Sequence, residues 1–184
     1  IDIIDGAEEA SIIASTDISS LIQKDKDYLY IDVGGGSTEF TVFSKGKVKK
    51  SRSFPIGTVR LLDNKVSNKT WEEVEHWIKK HTKDCEHIEA IGSGGNINKI
   101  HKNSNSREGE PLSYQYLTDY HNYVSGFTYD ERIRLLGFNP DRADVILYAL
   151  TVFINAMKWS GAEIVHVPRI GLADGIVRSI YNEG

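Results

Sequence analysis

The pattern of apolar and polar positions divides the 184 residues into strands and helices before any motif is considered. Ile1–Ile4 is apolar at three of four positions and reads as a short strand. A helical stretch over 7–20 follows, with Ala10, Ile13 and Ala14 on one face. A charged connection, Lys24 to Asp27, leads into the apolar strand Tyr28–Val33. Ser37–Phe43 and Val48–Phe54 follow as strands joined by the turn Ser44-Lys45-Gly46-Lys47. In the third strand Val48 is apolar while Lys49 to Ser53 are polar, which predicts a place at the sheet edge.

Beyond the third strand the period lengthens. Trp71, Val74, Trp77 and Ile78 share one face of a predicted helix Trp71–Lys83, with Thr70 as its cap and Glu73 at the reciprocal capping position. His87–Ile91 reads as a buried strand and Asn96–Lys102 as a helix opening after glycines. Asn103–Pro111 is polar and turn-rich, and two short helices are expected over Tyr116–Val124 and Asp130–Leu136. Pro140 suits the first position of a long helix reaching about Trp159, before a strand at Ile164–Val167 and a closing helix Leu172–Tyr181. Three strands in a meander, then strands alternating with helices, predict an α/β fold. Its sheet is mixed and five-stranded, with three antiparallel strands and then parallel crossovers, flanked by helices. The expected layout is one domain over 1–184, with a lead-in over 1–27 and a loop and helical insertion over 103–139.

Composition narrows the class without choosing a function. Apolar content of 40% and charged content of 26% are ordinary for a soluble domain, and the length suffices for one core. No apolar run approaches the roughly 18 residues of a membrane span. Ile1 to Asp5 carry two acids and no basic stretch, unlike a secretion signal. Cys85, the single cysteine, cannot close an internal disulfide, which fits a reducing cytoplasm. A net charge of −4 argues against a general nucleic-acid binder. The basic cluster Lys45, Lys47, Lys49, Lys50 and Arg52 has two readings, a lysine-protected strand edge or a patch that steers phosphate.

The candidate chemistry lies in two glycine clusters. In Asp32-Val33-Gly34-Gly35-Gly36-Ser37-Thr38-Glu39 an apolar strand ends in an acid, and three glycines turn the chain into the next strand. Glycine lacks Cβ, so the backbone approaches a ligand closely and aims consecutive N–H groups at phosphate oxygens. Ser37 and Thr38 add hydroxyls, while Asp32 and Glu39 supply carboxylates suited to Mg²⁺ bound together with phosphate. A tight hairpin rarely needs three glycines, which favours the ligand reading. Gly92-Ser93-Gly94-Gly95-Asn96 again follows a strand and opens a helix. It reads either as a close-packed turn or as an anion site at a helix N-terminus. Glu8 and Glu9 fall in the first turn of a predicted helix, where acids are favoured on electrostatic grounds alone. The histidines lack metal-ligand spacing, and His166 reads as a satisfied sheet residue.

Taken together, these residues resemble the exopolyphosphatase/guanosine pentaphosphate phosphatase (Ppx/GppA) family of the sugar kinase–heat-shock–actin superfamily. The shared motifs are Gly6-x-Glu8-Glu9-Ala10, the Asp32–Glu39 loop, Gly92–Gly95, Pro140–Asp144 and Gly171–Gly175. The resemblance implies a ribonuclease H-like (actin-like ATPase) fold and hydrolysis of terminal phosphoanhydride bonds in polyphosphate or guanosine penta- or tetraphosphate. It implies Glu9 as general base, with Asp32 and Glu39 holding Mg²⁺ and positioning phosphate and water, so that Glu39 is catalytic as well as a metal ligand. Gly34, Gly35, Gly36, Ser37 and Thr38 would cradle phosphate, joined by Gly92, Ser93, Gly94 and Gly95. The family's first lobe carries an Asp-x-Gly-Ser-Asn-Ser loop that this chain lacks. The expected role is therefore the second lobe of a two-lobed phosphatase, inactive alone, with the N-terminal lobe as its partner. A homodimer is left open; nucleic acid and membrane are not expected partners. Leu172-Ala173-Asp174-Gly175 stands where the family often has Leu-Arg-Glu-Gly, which bears on polyphosphate affinity. The alternatives are an ATP-dependent kinase or chaperone-type ATPase lobe, and a non-catalytic sensor of alarmone or polyphosphate. The pair Glu8-Glu9 favours the phosphatase.

Overall fold

The computed structural model describes residues 18, 21–107 and 109–168. The expected strand at Ile1–Ile4, the helix over 7–20 apart from Ile18, the helix Leu172–Tyr181, and the residues Glu8, Glu9 and 171–175 lie outside them. Six strands form one mixed sheet in the order β3-β2-β1-β4-β6-β5. Strands β1 (Asp27–Val33), β2 (Thr38–Ser44) and β3 (Lys47–Phe54) make the antiparallel meander, while β4 (Ile88–Ser93) runs parallel to β1. β6 (Ile164–His166) runs parallel to β4, so the five expected strands and their directions are all present. A sixth strand, β5 (Leu112–Ser113), adds an antiparallel edge on β6. Two residues are too few to register as an apolar run.

Side chains alternate across a strand, so each face of the sheet can be read from the register. Leu29, Ile31 and Val33 of β1 join Phe40, Val42, Phe54, Ala90 and Val165 in the main core. Helices cover this face. α1 (Thr58–Leu62), α2 (Asn68–Thr82), α3 (Gly95–Asn103), α4 (Tyr114–Ser125), α5 (Tyr129–Arg134), α6 (Pro140–Ala143) and α7 (Ile146–Ser160) follow in chain order. α7 is the hub: Ile146, Ala149, Leu150, Val152, Phe153, Ala156 and Met157 are all buried. It ends where Gly161 takes a left-handed φ of 81°, a conformation glycine adopts without steric cost. On the opposite face Tyr28, Tyr30, Phe43, Ile91 and Ile18 form a smaller cluster, and Asp32 and Glu39 follow on the same face.

Two helix boundaries differ from expectation. Ser67, not Thr70, caps α2: its hydroxyl accepts from the Thr70 N–H at 3.2 Å, so the helix begins one turn earlier at Asn68. The helix expected over 140–159 is broken after Ala143. The Ala143 carbonyl accepts from Arg132 Nη1 at 3.1 Å, and the chain turns through Asp144 and Val145 before α7 begins. α1 had no helical pattern to announce it, being only five residues long. Among the described residues no helix is long and apolar enough to cross a membrane.

Candidate functional site

The first glycine loop joins β1 to β2 and is closed by the Gly34 N–H, which donates to the Ser37 carbonyl at 3.0 Å. Its carbonyls are turned toward α1. Gly34 O accepts from Thr58 N at 3.0 Å, and Gly35 O accepts from Val59 N at 2.9 Å and from Arg60 N at 3.4 Å. Gly36 O accepts from Arg60 Nε at 2.8 Å. No peptide bond among the described residues is cis. In a trans peptide the C=O and the following N–H point in opposite directions. The N–H groups of Gly35, Gly36 and Ser37 are therefore aimed away from α1, on a stretch where residues 34–37 are all exposed. Three successive donors facing one open side form an anion-binding concavity.

Gly57 makes this possible. A Cβ there would lie 2.2 Å from the Gly35 carbonyl oxygen, so only glycine lets the N-terminus of α1 close on the loop. Neither Gly57 nor α1 was singled out from the sequence. The signal available was Pro55 and Gly57 just after an apolar strand residue, a punctuation that marks a turn but not its purpose.

Asp32 pairs in register with Glu39 on β2 and with Ser93 on β4, so all three side chains share the face opposite the main core. Glu39 Oε1 accepts from the Ser51 hydroxyl at 3.2 Å, and Ser51 also bonds Thr41 Oγ1 at 2.7 Å. Ser37 is exposed on the loop, whereas Thr38 is fully buried and its hydroxyl donates to the Ile56 carbonyl. The Thr38 side chain thus fastens the strand end to the approach of α1 and is turned away from the open side of the loop.

The second glycine cluster lies at the same end of the sheet, because β1 and β4 are parallel and Asp32 is level with Ser93. A Cβ on Gly94 would come 3.1 Å from the Val33 carbonyl and 3.4 Å from Asp32 Oδ1, and Gly94 has a φ of 107°. Gly92 has a different part. A Cβ there would meet Phe153 at 3.0 Å and Ile97 and Val165 at 3.1 Å, so its glycine serves the packing of the core. Gly95 opens α3 beneath a guanidinium: a Cβ there would fall 2.3 Å from Arg142 Nη2. Arg142 Nη1 donates to Asn96 Oδ1 at 3.1 Å, and its Nε stands 3.8 Å from Asp141. The structure thus adds a positive charge at the helix N-terminus that the sequence reading did not assign. Its position in Pro140–Asp144 was the only hint.

Asp32 and Glu39 sit side by side next to the first glycine loop, and among the described residues no cluster of three metal-type ligands occurs. This donor set fits Mg²⁺, which takes one or two carboxylates and completes its shell with water and phosphate oxygens. It does not fit an ion that needs a full protein cage. His166 is held by Glu89 at 2.7 Å.

A mixed sheet with an antiparallel meander, parallel crossovers and two glycine loops on one edge is the arrangement of an actin-like α/β fold. The chain belongs to the Ppx/GppA phosphatase family, whose model matches residues 1–183. It is 27% identical over 187 aligned residues to a bifunctional 3-dehydroquinate synthase/phosphatase of Fusobacterium nucleatum, covering 91% of this chain and 28% of that protein. Among solved structures it resembles a Ppx/GppA phosphatase of Aquifex aeolicus (23% identity, TM-score 0.71), with 91% of this chain and 60% of that one covered. It also resembles an exopolyphosphatase of Cytophaga hutchinsonii (20% identity, TM-score 0.77), with 98% and 65% covered. These structures share the fold, and this chain spans about three fifths of the length of each.

Proposed function

We propose that this chain forms one wall of a phosphohydrolase that cleaves the terminal phosphoanhydride bond of inorganic polyphosphate or guanosine pentaphosphate. The observation that carries the reading is the triplet of outward N–H groups at Gly35, Gly36 and Ser37, fixed by the hydrogen bonds of their carbonyl partners to α1. Donors held in advance stabilise charge on a transferring phosphoryl group without reorganising during the reaction. The Ser37 hydroxyl adds a donor to the same oxygens, and Gly94 and Gly95 bring the positive end of α3 and Arg142 near the loop. Asp32 and Glu39 would hold Mg²⁺, which when bound neutralises negative charge on the phosphate oxygens. Glu39, steadied by Ser51, would also orient water, and Glu9 would take its proton, a role that rests on the family motif. A second lobe would enclose the phosphate from the open side. Support for the hydrolytic class comes from family membership and from the phosphatase activity in the curated relative's name.

The test is Asp32→Ala in the full-length protein, with phosphate release measured from polyphosphate and from guanosine pentaphosphate. Asp32 ends a strand beside the loop and is only partly buried, so the fold should survive its loss. Turnover is expected to fall by about 10²–10³-fold, the range for removing one electrostatic stabiliser. Unchanged turnover, with unchanged circular dichroism, would remove Asp32 from the machinery.

A further inference from the structure

One face of α7 is not explained by the fold. Ala149, Leu150, Val152, Phe153, Ala156 and Met157 are buried, so the side turned from the core would ordinarily carry charges. It carries Tyr148, Thr151, Asn155 and Trp159 instead, at spacings of three and four that place them in one stripe. Lys158 is the single charged residue of this helix. The stripe lines a pocket of about 530 Å³, a volume suited to a small ligand. The rest of the lining comes from Leu61 at the end of α1, from Asn64 and Val66 beyond it, and from Trp71 of α2.

The lining has a definite chemistry. Trp71 and Trp159, two of the three tryptophans of the chain, meet edge to face with ring centroids 6.0 Å apart, and both are half-buried. Indoles left partly open present flat apolar surface on which a planar ring can stack. Thr151 is satisfied, since its hydroxyl donates to the Leu147 carbonyl at 2.9 Å. The Asn155 amide and the Tyr148 hydroxyl are half-buried and bond no described residue, so hydrogen-bonding groups stand free beside the rings. The lining holds no acid, lysine, arginine or histidine. A charged group entering it would lose water without gaining a counter-charge, a cost that a neutral ring does not meet.

These features discriminate among planar rings. An asparagine amide sets a donor and an acceptor in one plane, which matches N7 and the N6 amino group of adenine. Guanine shows two acceptors on the same edge and asks for an arginine or lysine. The pocket supplies the amide and lacks the cation. It is also distinct from the phosphate loop. α1 meets the loop through the N–H groups of Thr58, Val59 and Arg60 at its start, and meets the pocket through Leu61 at its end. The free N–H groups of the loop are aimed away from α1, so a phosphate held by them has the loop between itself and that helix.

We infer that this pocket binds the adenine ring of a nucleoside or nucleotide as an effector, and that α1 carries its effect to the phosphate loop. A ring that touches Leu61 and Asn64 as well as Asn155 and Trp159 holds the end of α1 against α7. It thereby favours the position in which the first N–H groups of α1 bond the carbonyls of Gly34 and Gly35. The coupling rests on the function proposed above; the binding site does not.

The test is calorimetric titration of the full-length protein with adenosine, AMP, guanosine and methyl β-glucopyranoside, followed by tripolyphosphate kinetics with and without adenosine. Adenosine is expected to bind at one site with a Kd of about 0.1 mM, ordinary for a ligand of its size. AMP should match it, and guanosine should bind about tenfold more weakly. Asn155→Ala should weaken adenosine about tenfold without moving the melting temperature, and Trp71→Leu should weaken it as a second variant. Saturating adenosine should lower KM for tripolyphosphate about fivefold in the wild type, at unchanged kcat, and not in Asn155→Ala.

No binding of adenosine at millimolar concentration, or equal binding by wild type and Asn155→Ala, overturns the site. So does preference for the glucoside, which would make it a sugar pocket, and so does AMP binding more than about tenfold tighter, which would need a phosphate contact the lining lacks. Displacement of adenosine by tripolyphosphate that grows without limit would put the ring at the loop and overturn a separate site, whereas coupling shifts the affinity by a bounded factor. Binding that leaves KM unchanged overturns the coupling through α1. Asn155-dependent binding in a protein that hydrolyses no phosphoanhydride removes the phosphatase reading and leaves the adenine site.

Discussion

At the scale of single residues, the glycines of the site divide by what a methyl group would meet. A Cβ on Gly57 would collide with backbone, at 2.2 Å from Gly35 O and 2.4 Å from the carbonyl carbons of Gly35 and Gly36. Backbone cannot rotate away as a side chain can, so Gly57→Ala must push α1 off the loop. The expected cost is about 1–3 kcal/mol, the range for overpacking, with activity lost because the loop carbonyls lose their donors. Gly36→Ala should behave oppositely. Nothing lies within 4 Å of its added methyl group, so stability should be unchanged while the methyl group stands on the exposed loop beside the anion's position. Chemical denaturation and phosphate-release kinetics on both variants separate the cases. Equal loss of stability in the two would refute the division.

Cys85 supplies a second prediction at this scale. Burial, together with the charge of Asp27 and a hydrogen bond to it, pushes its thiol up to about 11. Only the thiolate is a nucleophile, so alkylation by iodoacetamide at pH 8 should be about a thousandfold slower than its limiting rate and should accelerate toward pH 11. Rapid labelling at neutral pH would contradict the environment described.

At the scale of elements, what could be read from the sequence followed the strength of local signals. The β1–β2–β3 meander was legible because apolar runs were bounded by Gly34–Gly36 and by Lys45-Gly46, and because the polar Lys49–Ser53 stretch marked an edge. The proximity of the two glycine clusters was legible from strand direction alone. What escaped was decided by tertiary contacts. α1 exists because its N–H groups find the carbonyls of Gly34 and Gly35, and α6 stops where Arg132 takes the Ala143 carbonyl. Gly92 and Gly95 looked alike in sequence. Phe153 makes one a packing residue, and Arg142 makes the other a seat for a guanidinium.

An element-level prediction concerns the end of the parallel strands away from the loops. Glu89 of β4 bonds Lys26, ahead of β1, at 2.6 Å and His166 of β6 at 2.7 Å. Burial raises its carboxyl, but the hydrogen bonds and charges of Lys26 and His166 outweigh that and hold it below the ordinary value of 4.5. A carboxylate lowered on folding contributes stability that is fully present above its unfolded value and is lost as pH falls through the folded one. Thermal unfolding should therefore show this contribution intact above about pH 4.5 and lost below it. Glu89→Gln should lower the melting temperature at pH 7 and flatten the acid side of the profile. An acid limb identical in variant and wild type would exclude this network as its source.

The whole molecule has two unlike ends. Where β1 and β4 begin, Lys26 and Glu89 tie the two strands together, and His166, the last residue of β6, bonds the same Glu89 and packs edge-on against Tyr28 at 6.5 Å. Where β1 and β4 finish, residues 34–37 are exposed, and the described groups would face the proposed phosphate from one direction. Ligands gather outside strand ends in such sheets, so the open end is where chemistry belongs. Phosphoryl transfer depends on positioning and on charge stabilisation around the transferred group, in a site from which water is kept out. One wall provides only part of this. The 184-residue chain produced alone should therefore fold cooperatively on its main core, bind tripolyphosphate weakly at the glycine loop, and release phosphate at least about 10²-fold more slowly than a two-lobed protein containing it. In that larger protein Glu9→Gln should reduce turnover by about 10²–10⁴-fold with little change in stability, as expected for loss of a general base. Phosphate release under single-turnover conditions, run on the isolated chain, the two-lobed protein and its Glu9→Gln variant, decides both points. Equal rates for the first two would show that the single wall is sufficient. An unaffected Glu9→Gln variant would return Glu8 and Glu9 to the part their position alone suggests, acids favoured near the start of a helix.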